Sequence, residues 1–141
     1  MERVRIALPE KILFTTHFFI GNDDINEADH MGNERILVFT NNIRSPFFKQ
    51  LKLTENDFDK MEGTIVANHS IHYVSEGFLG EEICCDVGIT NLSECSFDVV
   101  FHFKKKNGKT LAVVRSGCVY YDYIARKIRA LPENFINAFT V

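Results

Sequence analysis

The chain has 141 residues, a formal net charge of −3 and a charged fraction of 25%, the profile of one ordinary globular domain. A weakly acidic protein offers no electrostatic attraction to nucleic acid or to an anionic membrane, so neither is expected as a partner. No apolar run approaches the ~20 residues of a membrane span. The first residues, MERVRIALPEK, lack the core of a signal peptide, and the protein reads as intracellular and cytoplasmic.

In chain order, KILFTTHFFIGNDDIN opens the ordered part, and its Phe, Ile and Thr content favours a strand. A polar loop, EADHMGNE, leads into helical spacing from Glu34 to Leu51. Ile36, Thr40, Ile43, Phe47 and Leu51 recur at steps of four, three, four and four, and Leu37, Arg44 and Phe48 widen that stripe. The spacing predicts a helix of ~27 Å. Pro46 removes one backbone hydrogen bond and crowds the preceding turn, so a kink or break is expected near Arg44 to Pro46. Thr54 with Asp57 reads as the cap of a short extra turn.

Four strand-like runs follow: GTIVANHSIHYVS, EEICCDVGIT, CSFDVVFHFKKK and TLAVVRSGCVYYDY. They are separated by EGFLG, NLSE and NGK. Asn-Gly is a strong hairpin signal, and the basic KKKNGK around it reads as a solvated turn. Three short connections imply an antiparallel meander, and the tail reads as a short strand and one helical turn. The expected fold is α+β, a single domain over residues 1–141. In it a curved antiparallel sheet of about five strands covers the apolar face of one long helix. Thirteen phenylalanines and no tryptophan predict a core built on phenylalanine.

Adjacent Cys84 and Cys85 point to opposite faces of a strand and make a poor chelate. With Cys95 and Cys118 they read as reduced thiols. His69 and His72, three apart in a strand, also face opposite ways and form no metal pair. There is no Gly-rich phosphate loop and no Gly-x-Ser-x-Gly elbow, and Ser45 and Ser70 lack a nucleophile context.

The polar loop carries the remaining chemistry. Helix N-termini leave backbone N–H groups unpaired and partially positive, and Gly32 lets a substrate come close to them. The residues allow two readings. Asp29 or Asn33 caps the helix while Glu34 complements its dipole. Alternatively, the N–H groups polarise a carbonyl and hold an oxyanion, with Asp29 and His30 beside it.

The order strand, long helix, four strands resembles the hotdog fold. INEADHMGNERIL is similar to the corresponding loop of the acyl-CoA thioesterase superfamily related to 4-hydroxybenzoyl-CoA thioesterase. YVSEGFLGEEI, VVFHFKKKNGKTLAVVRSGCVYYDY and RKIRALPENF continue the likeness over residues 13–136. The resemblance implies an enzyme that uses water to split an acyl group from coenzyme A or acyl carrier protein, with no cofactor and no metal. It implies a homodimer or homotetramer with active sites between subunits, consistent with an uncovered edge along TIVANHSIHYVS.

In many relatives an aspartate of this loop is base or nucleophile, which gives that role to Asp29. Relatives whose loop reads most like HMGN instead carry a glutamate on the helix, and NNIR puts Asn42 at that place. The resulting assignment has Asp29 as base and Asn42 orienting the water or thioester. The amides near Gly32 and Asn33 hold the oxyanion, and His30 binds or orients. Phe39, Phe47 and Phe48 line a pocket or, by ordinary burial, form core. Arg44, Lys49, Arg126 and Lys127 contact CoA phosphates or are solvated surface charge. Two other functions fit the same resemblance. One is a non-catalytic acyl-thioester-binding or assembly module, favoured by the missing helix carboxylate. The other is an enoyl-CoA hydratase or dehydratase, to whose loop DDINEADH is partly similar.

Overall fold

Alternation builds the first strand. In β1 (Phe14–Phe19) Phe14, Thr16 and Phe18 are half-buried while Thr15, His17 and Phe19 are exposed. The computed structural model describes Met1–Val141. After β1 come a 3-10 turn (Asn22–Asp24), the helix α1 (Arg35–Gln50) and a two-residue strand β2 (Asn56–Asp57). The long strands β3 (Glu62–Tyr73), β4 (Glu82–Thr90), β5 (Ser96–Lys105) and β6 (Thr110–Asp122) follow. A short β7 (Lys127–Ile128) and the helix α2 (Glu133–Phe139) end the chain.

The apolar stripe of α1 is what the sheet covers. Ile36, Phe39, Ile43, Phe47 and Phe48 are all buried, so the three helical phenylalanines are core. Thr40 is buried among them because its Oγ1 donates to the Ile36 carbonyl at 2.8 Å, which removes the penalty of an unpaired hydroxyl. Phe48 and Phe97 meet edge-on at 6.2 Å, and Phe97 lies 4.8 Å from Phe139 of α2. The phenylalanine-built core is thus found as the composition implied.

Two local expectations are corrected. The helix runs unbroken through Pro46. That proline lies on the exposed face, where water can solvate the Asn42 carbonyl it leaves without a helical partner. Thr54 to Asp57 form no helical turn; Asn56 and Asp57 pair with Gly63 and Glu62 as β2. Asp57 instead caps the β2–β3 turn, its Oδ1 accepting the N–H groups of Asp59 and Lys60 at 3.1 Å. The tail does form a short strand, β7, and a short helix, α2.

The meander is also corrected. The sheet order is β1-β4-β5-β6-β3-β2, with β7 on β6. β4, β5 and β6 are a meander, and the β5–β6 turn closes on Asn107 and Gly108, the latter at φ 88°. β3, however, pairs with β6 and not with β4. The Val74–Glu81 connection crosses the end of the sheet. Val74 and Ser75 donate to the Leu111 carbonyl at one side; at the other, just past β1, the Ile20 carbonyl accepts the Gly80 N–H and the Ile20 N–H donates to the Glu81 carbonyl. Eight residues are too many for a tight hairpin, so the chain can leave its own strand's neighbour and pair farther off. The outer edge of β3 beyond Thr64 has no strand neighbour.

Candidate active site at the start of the helix

The segment Gly21–Glu34 joins β1 to α1 and is organised by two side chains. Asp24 is only 8% exposed. Its carboxylate accepts the Gly21 N–H at 2.9 Å and the Arg35 Nε–H at 2.7 Å, and its carbonyl accepts the Gly32 N–H at 3.0 Å. Asn26 shapes the tip: its N–H donates to the His30 carbonyl at 3.0 Å, and its carbonyl accepts the Asp29 N–H at 3.1 Å. Its Oδ1 accepts the Ala28 N–H at 2.9 Å.

Asp29 sits on this tip, exposed and at φ 61°, a left-handed conformation that aspartate tolerates. His30 is half-buried, its Nδ1 3.2 Å from the Met31 carbonyl. Neither Asp29 nor Asn33 caps the helix; α1 has no side-chain cap at all. The Gly32 N–H is taken by Asp24 and the Met31 N–H by Gly77, whereas the N–H groups of Asn33 and Glu34 have no acceptor in the chain. The amides open to a ligand are therefore those of Asn33 and Glu34.

A Cβ at Gly32 would meet only the carboxylate of Glu34, 2.5 Å from its Oε1, the flexible end of an exposed side chain. Tyr73, last residue of the open-edged β3, donates its hydroxyl to the Asn33 carbonyl at 2.9 Å. Its phenol is held above the usual range, first by burial and then by the nearby Glu34 charge. The end of the free strand edge thus touches the start of the helix.

Asn42 lies elsewhere on the helix. It lines a groove of about 330 Å³ between β1 and α1, with Thr16, Phe18, Asp24, Arg35 and Phe39. The Arg35 guanidinium covers the Phe39 ring at 5.7 Å. Asn42 therefore shares walls with the Asp24–Arg35 pair, and Asp29 is not on that lining.

The cations named for CoA phosphates are placed differently. Arg44 pairs with Glu55 at 3.3 Å and is largely buried, so it is a structural charge. Burial and then the Arg44 charge hold His69, whose Nδ1 is 2.8 Å from Ser116 Oγ, below its ordinary pKa. Lys49 is exposed near the C-terminal end of α1, and Arg126 and Lys127 are exposed at the β6–β7 turn. Tyr73 pairs with Ala112 and Glu62 with Asp122, so that turn is at the far end of β3 from Tyr73, roughly 35 Å away at strand rise.

Sequence reasoning missed Asp24, Arg35 and Tyr73. One signal was available for the first two. A cation as the first helical residue opposes the helix dipole and calls for a carboxylate partner. Tyr73 gave none, because its contact depends on how far β3 reaches past the helix.

A long helix lying in a curled antiparallel sheet of this strand order is the hotdog architecture. The chain belongs to the thioesterase-like superfamily, whose family model matches residues 20–139. A 1,4-dihydroxy-2-naphthoyl-CoA thioesterase from Synechocystis superposes with a TM-score of 0.82 at 16% identity, covering 90% of this chain and 95% of that one. A hypothetical protein from Staphylococcus aureus, solved in complex with CoA, gives 0.81 at 16% identity, with 96% of this chain and 86% of that chain covered. A gentisyl-coenzyme A thioesterase gives 0.78 at 17% identity, with 89% and 99% covered. No curated protein matches the chain by sequence.

Proposed function

We propose that this protein hydrolyses acyl-CoA thioesters at the start of α1. The observation that carries the reading is the pair of unengaged N–H groups, Asn33 and Glu34, at an uncapped helix N-terminus of a thioesterase-like chain. Water attacks the thioester carbonyl, and the negative charge that develops on its oxygen meets these two donors and the positive end of the helix dipole. The C–S bond then breaks, and the thiol leaves with a proton. No metal or cofactor enters the proposed reaction.

The resemblance gives the base to Asp29, substrate orientation to His30 and water or thioester orientation to Asn42. Coenzyme A as the carrier is supported by the CoA-linked names of the fold neighbours. A homodimer or homotetramer is supported by the open β3 edge from Ile65 to Tyr73, a template for a second copy. Because Tyr73 touches Asn33, such pairing brings the subunit boundary to the helix start. No helix is long and apolar enough to cross a membrane. A reducing, cytoplasmic setting is supported by four free thiols; burial pushes one of them, Cys118, up to about 12.

The test is thiol release from a panel of aliphatic and aromatic acyl-CoAs. Free CoA is the expected product. Saturable binding without thiol release favours the non-catalytic acyl binder, a reading that the amide at Asn42 supports. Asp29→Asn measures the base assignment: a loss of kcat/KM below tenfold, ~1.4 kcal/mol of barrier, removes Asp29 from that role.

A further inference from the structure

The loop before α1 devotes a part-buried ion pair to something other than capping. Arg35 is the first residue of the helix, where a cation opposes the dipole. The same end lacks the side-chain cap that most helices use. Asp24, by chemistry a good cap, is nine-tenths buried and turned to Arg35 and Gly21 instead. Each feature is unfavourable alone. Together they leave the exposed Asn33 and Glu34 donors unspent.

We propose that Asp24 and Arg35 are positioning residues that keep the Asn33 and Glu34 N–H groups free for the thioester oxygen. This rests on the reading of those amides as the oxyanion site. Asp24 is tied by its carbonyl to Gly32, the residue before Asn33. Arg35 draws the Asp24 carboxylate to the flank of the helix, into the groove shared with Phe39 and Asn42. When Arg35 loses its charge, a buried carboxylate is left with only the Gly21 N–H. Such a group takes further donors or pays its full desolvation. The unpaired amides of an uncapped helix are the donors suited to it. The protein's own carboxylate then occupies the place of the substrate oxygen.

A merely structural ion pair behaves otherwise. Its loss lowers activity only through unfolding, and removing the second partner as well restores nothing. If Asp24 becomes an internal cap, activity recovers in the double variant, because alanine at position 24 cannot cap.

Two readouts test this on the full chain, both with Arg35→Gln, Arg35→Lys and the double variant Asp24→Ala with Arg35→Gln. The first is thiol release with a substrate from the acyl-CoA panel. Arg35→Gln is expected to lower kcat by about 100-fold, the size of losing one oxyanion donor, with KM changed less than about threefold. Arg35→Lys keeps the charge and stays within about tenfold of wild type, and the double variant recovers to the same range. The second readout is amide hydrogen exchange at Asn33 and Glu34 by NMR. These amides exchange fast in the wild type, are slowed at least about tenfold in Arg35→Gln, and are fast again in the double variant.

Unprotected amides in Arg35→Gln, or a double variant no more active than Arg35→Gln, overturn the proposal. If the wild type releases no thiol from any substrate, the thioesterase reading fails. The exchange pattern then still reports whether the pair controls the amides.

Discussion

The two ends of α1 are built on opposite principles. At the C-terminal end, Phe47 and Phe48 are fully buried in a cluster with Phe97, Phe135 and Phe139. At the N-terminal end, Asn33 and Glu34 are exposed with N–H groups that have no acceptor, and a cation stands against the dipole. A helix can leave its start unsatisfied when its other end is anchored, since packing and not capping supplies most helix stability in a folded protein. The contrast separates stability from chemistry along 16 residues of one element.

The largest expected effect comes from breaking the anchored end. Phe48→Ala removes a fully buried ring and leaves a cavity among three aromatic side chains, Phe47, Phe97 and Phe135. It should destabilise by about 3–5 kcal/mol, read as a lowered urea midpoint. A loss under about 1 kcal/mol, below that large-to-small range, would mean that the cluster is not what holds the helix.

The middle of the helix gives a smaller effect of opposite sign. Pro46 is exposed in an unbroken helix and cannot return a bond to the Asn42 carbonyl. Pro46→Ala supplies that donor and a better helix former. Against the ~3 kcal/mol propensity difference stands the unfolded-chain entropy that proline removes, about 0.4–1 kcal/mol. A net gain of about 2 kcal/mol is expected in chemical denaturation. A loss would show that the proline's ring is used, for instance against a second subunit.

These two ends were not equally legible in the sequence. The anchored end was, because steps of three and four among Ile36, Thr40, Ile43 and Phe47 already define a buried stripe, and burial needs no knowledge of the partner. The strands β4, β5 and β6 and their Asn-Gly turn were legible for the same reason, through local alternation and turn chemistry. Strand order was not. Nothing within GTIVANHSIHYVS or EEICCDVGIT says that β3 leaves β4 to pair with β6, because that choice is made by long-range contacts around the helix. At the site, the loop and Gly32 could be picked out, yet which amides are free depends on where the Asp24 carbonyl points. That is a property of the folded loop. Asp29 drew attention as a carboxylate in a family-like position, while the carboxylate that organises the loop is Asp24.

Tyr73 gives the smallest effect and the closest probe of the open end. Its hydroxyl makes one hydrogen bond, to the Asn33 carbonyl at 2.9 Å, so Tyr73→Phe should destabilise by about 1 kcal/mol. The pH dependence makes the test sharper. Burial and then the Glu34 charge raise the phenol's pKa in the folded state. The folded protein therefore binds this proton more tightly than the unfolded chain does. That contribution is complete below the unfolded tyrosine pKa of about 10 and is lost as pH rises through the higher folded value. Tyr120 and Tyr123 are raised too, so the wild type alone cannot isolate Tyr73. The difference between wild type and Tyr73→Phe can, since the other two tyrosines are common to both. That difference should shrink as pH climbs above 10. A gap that stays constant with pH would mean that the phenol feels neither burial nor Glu34. The helix start would then be more open to solvent than its contact with the β3 edge implies.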